Sequence, residues 1–193
     1  MLDHRMDEHL PADFRRIRPP LEGRLVRLRA IEESDLARLH DMFNDPDVLA
    51  FIDAVIFPQP QAGTRAWWEG TRTNPDQVAF GIETLAGELV GACDLRSIAS
   101  PGRSGTMGIW IGKPYWDQGY GSDAVRTLCR FAFEEMNLRR IELHVHETNP
   151  RGKRAYEKVG FKEEGRLRAA HFGGGRPVDV FVMGLLAGEL AEE

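Results

Sequence analysis

The sequence predicts a mixed α/β domain in which a mostly antiparallel sheet of about seven strands carries about four helices. Three observations point there. Residues 78–84, 89–97 and 106–111 read as consecutive strands separated by the turns Ala86-Gly87-Glu88 and Pro101-Gly102-Arg103, an antiparallel meander. The third strand then feeds a glycine-rich turn and a strongly helical run over 123–136. Finally, 161–172 and 178–186 form a closing hairpin around Gly173-Gly174-Gly175.

Taken in order, residues 1–20 are polar, end in Pro19-Pro20 and show no period, so they read as an N-terminal arm before a single domain over 21–193. Leu25-Val26-Arg27-Leu28-Arg29 alternates as a half-buried strand. Leu36, Leu39 and Phe43 then fall at helical spacing, with Ser34 as the expected N-cap. Segment 44–63 carries three prolines among scattered large apolar residues and reads either as a packed, substrate-binding loop or as a short helix and loop covering the sheet edge. A second helix includes Trp67, Trp68 and Thr71. After the meander, Val125, Leu128, Cys129, Ala132 and Met136 form one apolar stripe, which lays the 123–136 helix on the sheet. Residues 141–147 read as a strand and 151–159 as a helix.

Composition narrows the function classes. The 193 residues are 42% hydrophobic, enough for one well-packed domain. No apolar run approaches the roughly 20 residues of a membrane span, and the charged start is unlike a secretory leader, so the expectation is a cytoplasmic protein with no membrane partner. The net charge of -5 argues against a nucleic-acid partner. Cys93 and Cys129 fall in apolar patterns that suit buried thiols rather than a disulfide framework or a metal cluster.

The chemistry concentrates in Tyr115-Trp116-Asp117-Gln118-Gly119-Tyr120-Gly121-Ser122. A glycine turn entering a helix leaves backbone N–H groups converging beside the positive end of the helix dipole, which is a phosphate cradle. It lacks the third glycine of a dinucleotide-binding start and the Gly-Lys-Ser/Thr of a P-loop. The second element is Asn149 with Tyr156, whose spacing of seven returns to one helix face, so both side chains can line one groove. Each also has a plain reading, Asn149 as a helix N-cap and Tyr156 as packing.

In combination, Tyr-Trp-x-Gln-Gly-Tyr-Gly-Ser followed by Asn149 and Tyr156-Glu157-Lys158-Val159-Gly160-Phe161 resembles the GCN5-related N-acetyltransferase (GNAT) superfamily. It looks most like the ribosomal-protein-alanine (RimJ/RimL-like) branch, as do Gly165-Arg166-Leu167-Arg168, Val178-Asp179-Val180 and Gly184-Leu185-Leu186. The resemblance runs over about 21–186.

What it implies is the GNAT fold with splayed central parallel strands, and acetyl-coenzyme A as cosubstrate in the V between 106–111 and 141–147, with no metal. The backbone of Ile109, Trp110 and Ile111 would pair with the pantetheine arm, and amides from Gln118, Gly119, Tyr120, Gly121 and Ser122 would hold the pyrophosphate. Asn149 would bond the arm from the other side, with Gly152 beside it in the cofactor-binding set. Trp116 stands where the general motif has Arg or Gln. Asp117, a carboxylate beside a pyrophosphate, is expected to turn to solvent or cap the helix.

The reaction implied is acetyl transfer to a primary amine. Tyr156 is the candidate acid for the departing thiolate, and a backbone N–H near Trp110 meets the oxyanion. His144, five residues before Asn149, is the candidate base or an ordinary strand residue, with Glu83 and Asp94 in reserve. Strand alternation places Glu142, His144 and His146 on one face. Deprotonating an α-amine at pH 7 costs about 1–1.4 kcal/mol against about 4.6 kcal/mol for a lysine amine, which suits a site without a strong base to a peptide N-terminus. The acceptor is therefore expected to be a protein or peptide N-terminus. The alternatives are a small amine (amino acid, polyamine or antibiotic) or a non-catalytic acyl-coenzyme A binding module, with a homodimer possible in either case.

Overall fold

The computed structural model describes residues 21–52, 57–99 and 101–191; the expected N-terminal arm and Val55 and Ile56 of the 44–63 segment lie outside them. One seven-stranded sheet runs in the order β1-β2-β3-β4-β5-β7-β6. Its strands are β1 (Val26–Arg29), β2 (Gln77–Thr84), β3 (Leu89–Arg96), β4 (Ser104–Ile111), β5 (Arg140–His146), β6 (Lys162–Gly173) and β7 (Arg176–Leu186). Every neighbouring pair is antiparallel except β4 and β5, which run parallel.

That exception builds the site. β4 and β5 pair only at Ser104↔Arg140, Gly105↔Ile141 and Thr106↔Glu142, and beyond these they part. Neither strand frays there. β4 stays registered on β3 as far as Gly91↔Ile111, and β5 on β7 as far as His146↔Val180. Two strands held on their outer edges and separated on their inner ones leave backbone N–H and C=O groups facing a V, and such groups need partners.

The helices are α1 (Leu36–Phe43), α2 (Pro46–Leu49), α3 (Gln61–Thr73), α4 (Tyr120–Glu134) and α5 (Pro150–Glu157). The stripe Val125, Leu128, Cys129 and Ala132 is buried, so α4 does lie on the sheet, against Val26, Leu28, Phe80, Leu95, Met107 and Leu143. The opposite sheet face is covered by α1 and α3, where Leu36, Leu39 and Trp68 pack on Leu89 and Ala92. Trp68 Nε1 donates to the Ile31 carbonyl at 2.8 Å, which fixes α3 to the end of β1.

Local chemistry corrects several sequence expectations. Ser34 does not cap α1. It sits inside a 3₁₀ turn, Glu33–Asp35, closed by the Glu32 amide donating to Asp35 Oδ2 at 2.8 Å, while Arg29 grips the same carboxylate. In the 44–63 segment a short helix does form, as the second of its two readings has it: Asp45 caps the one-turn helix α2 by accepting from the Asp47 amide at 2.9 Å. α4 begins three residues before the expected 123–136 run, since Gly119 itself makes the turn at φ 84°, and it ends at Glu134, so Met136 falls just beyond it.

Candidate active site

At the mouth of the V, Gly119 holds a left-handed conformation that costs an L side chain about 1–2 kcal/mol, and no side chain caps the helix that follows. The first-turn amides of Tyr120, Gly121 and Ser122 therefore point outward without an intrahelical acceptor. A Cβ at Gly121 would meet only Ile111 Cγ1 at 3.8 Å, so the turn is open to a ligand.

Across the V, the Asn149 side chain accepts from the Gly152 amide at 2.9 Å and caps α5. A Cβ at Gly152 would lie 2.7 Å from Asn149 Nδ2, which explains the glycine. Asn149 is thus a helix cap and also a wall of the groove. Tyr156 lies on the same wall, edge-on to Phe161 at 6.1 Å, and burial pushes its hydroxyl up to about 12. At neutral pH this phenol is a proton donor. The groove, about 300 Å³, is lined by Ile109, Trp110, Ile111, Gly119, Tyr120, Gly121, Ser122, Asn149, Gly152 and Tyr156. Gln118 is not among the lining residues; its side chain donates to the Pro114 carbonyl at 3.0 Å.

Sequence reasoning missed the cations of this groove. Arg151, Arg154 and Lys158 line it, and the Arg151 guanidinium stands 3.5 Å over the Trp116 ring. Trp116 in turn donates its indole N–H to the Ile111 carbonyl at 2.7 Å, tying the cradle to the end of β4 and already engaging one backbone group of the V. Burial lowers the pKa of Arg151, while the charge of Asp117 acts against the shift. Asp117 is exposed, at φ 60°, and does not cap α4. The signal for this cluster was the basic run 151–158, whose cations fold onto the groove through α5.

A second cavity of about 700 Å³ opens beyond the fork and shares Phe51, Ile52, Ile109 and Trp110 with the first. Leu39, Phe43 and Trp67 supply much of its apolar wall, and Phe43 meets Trp110 edge-to-face at 5.5 Å. Gln77, Asp94, Arg96, Thr106 and His144 form its polar end. Asp94 pairs with Gly108 across β3 and β4, and a Cβ at Gly108 would overlap the carboxylate, so this glycine gives Asp94 its place. Asp94 accepts from Gln77 Nε2 at 3.0 Å and lies 3.1 Å from Arg96 Nε. Burial raises its pKa, opposed by Arg96.

Because Thr106 pairs with Glu142, Gly108 and His144 are the next residues on that face after the strands part. His144 Nε2 is 3.4 Å from Glu142 Oε1. His144 thus lies in the larger cavity and Tyr156 in the smaller one, on either side of Ile109 and Trp110. Glu83 lines neither cavity; it pairs with Arg29 and with Arg27, 3.6 Å away, on the far edge of the sheet. Among the described residues no group of three His, Cys, Asp or Glu side chains is placed to hold a metal ion, and no helix is long and apolar enough to cross a membrane.

A strand fork with an anion cradle at one end and an apolar cavity at the other suits an acyltransferase that draws its acyl group from a phosphate-bearing donor. Residues 25–162 match the family model for the acetyltransferase (GNAT) domain, and the chain belongs to that family. It is 32% identical over 169 residues to the uncharacterized N-acetyltransferase p20 of Bacillus licheniformis, covering 86% of this chain and 95% of that protein. It is 28% identical to spermidine N(1)-acetyltransferase of Vibrio cholerae, over 83% of this chain and 92% of that one. A crystal structure of a Vibrio cholerae spermidine N-acetyltransferase with CoA and spermine superposes with a TM-score of 0.79 at 26% identity, covering 85% of this chain and 96% of that one. The likeness to Bacillus subtilis YdaF, a provisional ribosomal N-acetyltransferase by name, is 31% over 103 residues, 53% of this chain and 56% of that protein.

The protein is therefore an acetyl-coenzyme A-dependent N-acetyltransferase with the GNAT fold. The groove fits that cosubstrate on its own chemistry: uncapped helix amides, a glycine where a Cβ would be strained, and three cations against one exposed carboxylate suit a polyphosphate anion.

Proposed function

We propose that the protein acetylates a primary amine that enters the larger cavity, with acetyl-coenzyme A lying along the fork from the cationic groove. The observation that carries this reading is that the two cavities meet at Ile109 and Trp110, so a thioester end in one adjoins an amine in the other. Bound there, acetyl-coenzyme A supplies an activated acetyl carbonyl and a thiolate leaving group.

The amides of Tyr120, Gly121 and Ser122, with Arg151, Arg154 and Lys158, hold the phosphates, and the backbone of Ile109 and Trp110 extends the sheet toward the arm. A backbone N–H near Trp110 stabilises the oxyanion. The amine nitrogen forms its bond to the acetyl carbon as the carbon–sulfur bond breaks. Tyr156 gives its hydroxyl proton to sulfur, and His144 or Asp94 takes the proton the amine loses. Both facing groups are suited to accepting it, since His144 is half-exposed and Asp94 is made more basic by its burial.

A cavity of about 700 Å³ walled by Leu39, Phe43, Phe51, Ile52 and Trp67 suits a small amine better than a long peptide. The spermidine-acetylating relative supports a small amine too, whereas the shorter likeness to YdaF supports a protein N-terminus. Incubation with acetyl-coenzyme A and a panel of small amines beside peptide N-termini, following free thiol and product mass, tests the reading. Acetylation of a small amine is expected; turnover on peptides alone would refute the small-amine assignment.

A further inference from the structure

Resting on the larger cavity as the acceptor site, we infer that the acceptor is a primary monoamine carried on an apolar body of aromatic size, and not a polyamine. Among the described lining residues Asp94 is the single carboxylate, and it is already 3.1 Å from the Arg96 guanidinium and bonded by Gln77. One ammonium can be met at that end. A spermidine-like chain carries further ammonium groups, and among the described lining these would meet Leu39, Phe43, Ile52 and Trp67, the uncharged Gln59 and Thr64, or the positive charge of Arg96, with no second carboxylate.

A charge moved from water to an apolar wall loses its hydration, and the loss is recovered only by a closely paired partner. Aromatic faces attract cations, but a desolvated ammonium costs more than one ring returns. The Phe43 and Trp110 rings are moreover engaged with each other edge-to-face. An apolar ring on the acceptor has the opposite balance. It buries its own surface against these side chains and presents a single nitrogen to Asp94 and His144. Gly108 is the specific device: by lacking a side chain it lets the Asp94 carboxylate lie over β4 beside the fork.

The test is calorimetric titration of the protein, saturated with coenzyme A, with 2-phenylethylamine, tryptamine and spermidine, together with thiol-release kinetics on acetyl-coenzyme A. The aryl amines are expected to bind and turn over at least about tenfold better than spermidine. Asp94→Asn should weaken aryl-amine binding at least about tenfold while leaving coenzyme A affinity within about twofold, which also reports that the variant is folded. Spermidine equalling or surpassing the aryl amines, or Asp94→Asn leaving amine affinity unchanged, overturns the inference while amine acetylation itself stands. Absence of coenzyme A binding and of turnover on any amine would remove both.

Discussion

Asp123→Ala should be among the most damaging single changes in this protein, although the residue touches neither cavity. The Asp123 carboxylate accepts three backbone N–H bonds from the turn entering β1: Arg24 at 3.1 Å, Leu25 at 2.8 Å and Val26 at 3.0 Å. It thereby fixes the first strand to the first turns of α4, beside the cradle. Removing it strands the Val26 amide in the core, where an unsatisfied donor costs about 2–3 kcal/mol, while water partly replaces the bonds to the exposed Arg24 and Leu25 for about 1 kcal/mol more. Loss of a carboxylate near a helix N-terminus adds about 0.5 kcal/mol. The expected total of about 3.5–4.5 kcal/mol is a large share of the ~5–15 kcal/mol typical of a domain. Urea unfolding followed by fluorescence measures it, and hydrogen exchange should show the Val26 amide losing protection. Asp123→Asn, which keeps one acceptor oxygen, should recover roughly half. A loss below about 1 kcal/mol, with Val26 still protected, would show that the turn finds other acceptors and that the bonds are incidental.

Other changes separate the groove's parts. Gly23→Ala would drive a Cβ into the Asp123 carboxylate and within 2.6 Å of Thr127 Oγ1, so its unfolding midpoint should fall in the same direction as that of Asp123→Ala. Arg151→Ala should raise the coenzyme A dissociation constant by about 10- to 100-fold, the scale of a charge-assisted hydrogen bond, with a smaller effect on stability; unchanged calorimetric affinity would place the phosphates elsewhere. Gly119→Ala should cost about 1–2 kcal/mol of stability at its left-handed backbone and weaken coenzyme A binding, read from thermal melts with and without ligand. Tyr156→Phe should keep coenzyme A affinity and lose turnover. The folded phenol is raised from 10 to about 12, so its contribution to stability is complete below pH 10 and is lost as pH rises toward 12. Wild type should therefore lose stability over that window by an increment absent from Tyr156→Phe; identical alkaline denaturation curves would contradict the buried hydroxyl.

Periodicity and turn chemistry were enough to specify the seven strands, the α4 stripe and the glycine turn, because a two-residue or 3.6-residue repeat and a residue free to take positive φ are local properties. The motif pair at 119–121 and 149–156 likewise carried the family and its cosubstrate. Tertiary packing governs what depends on neighbours remote in sequence. It makes Asn149 cap and wall at once, sets Arg151 on Trp116, takes Glu83 out of the site by pairing it with Arg29, and leaves Asp123 holding β1 through bonds spanning 97 to 99 residues. The acceptor end was the least legible. Asp94 is an ordinary polar residue of a strand until Gly108 on the next strand makes room for its carboxylate, and the fork that gives both a purpose exists because β4 and β5 are each held on their outer edges. A linear pattern records which face a side chain takes, whereas the space in front of that face is set by chains that arrive from elsewhere.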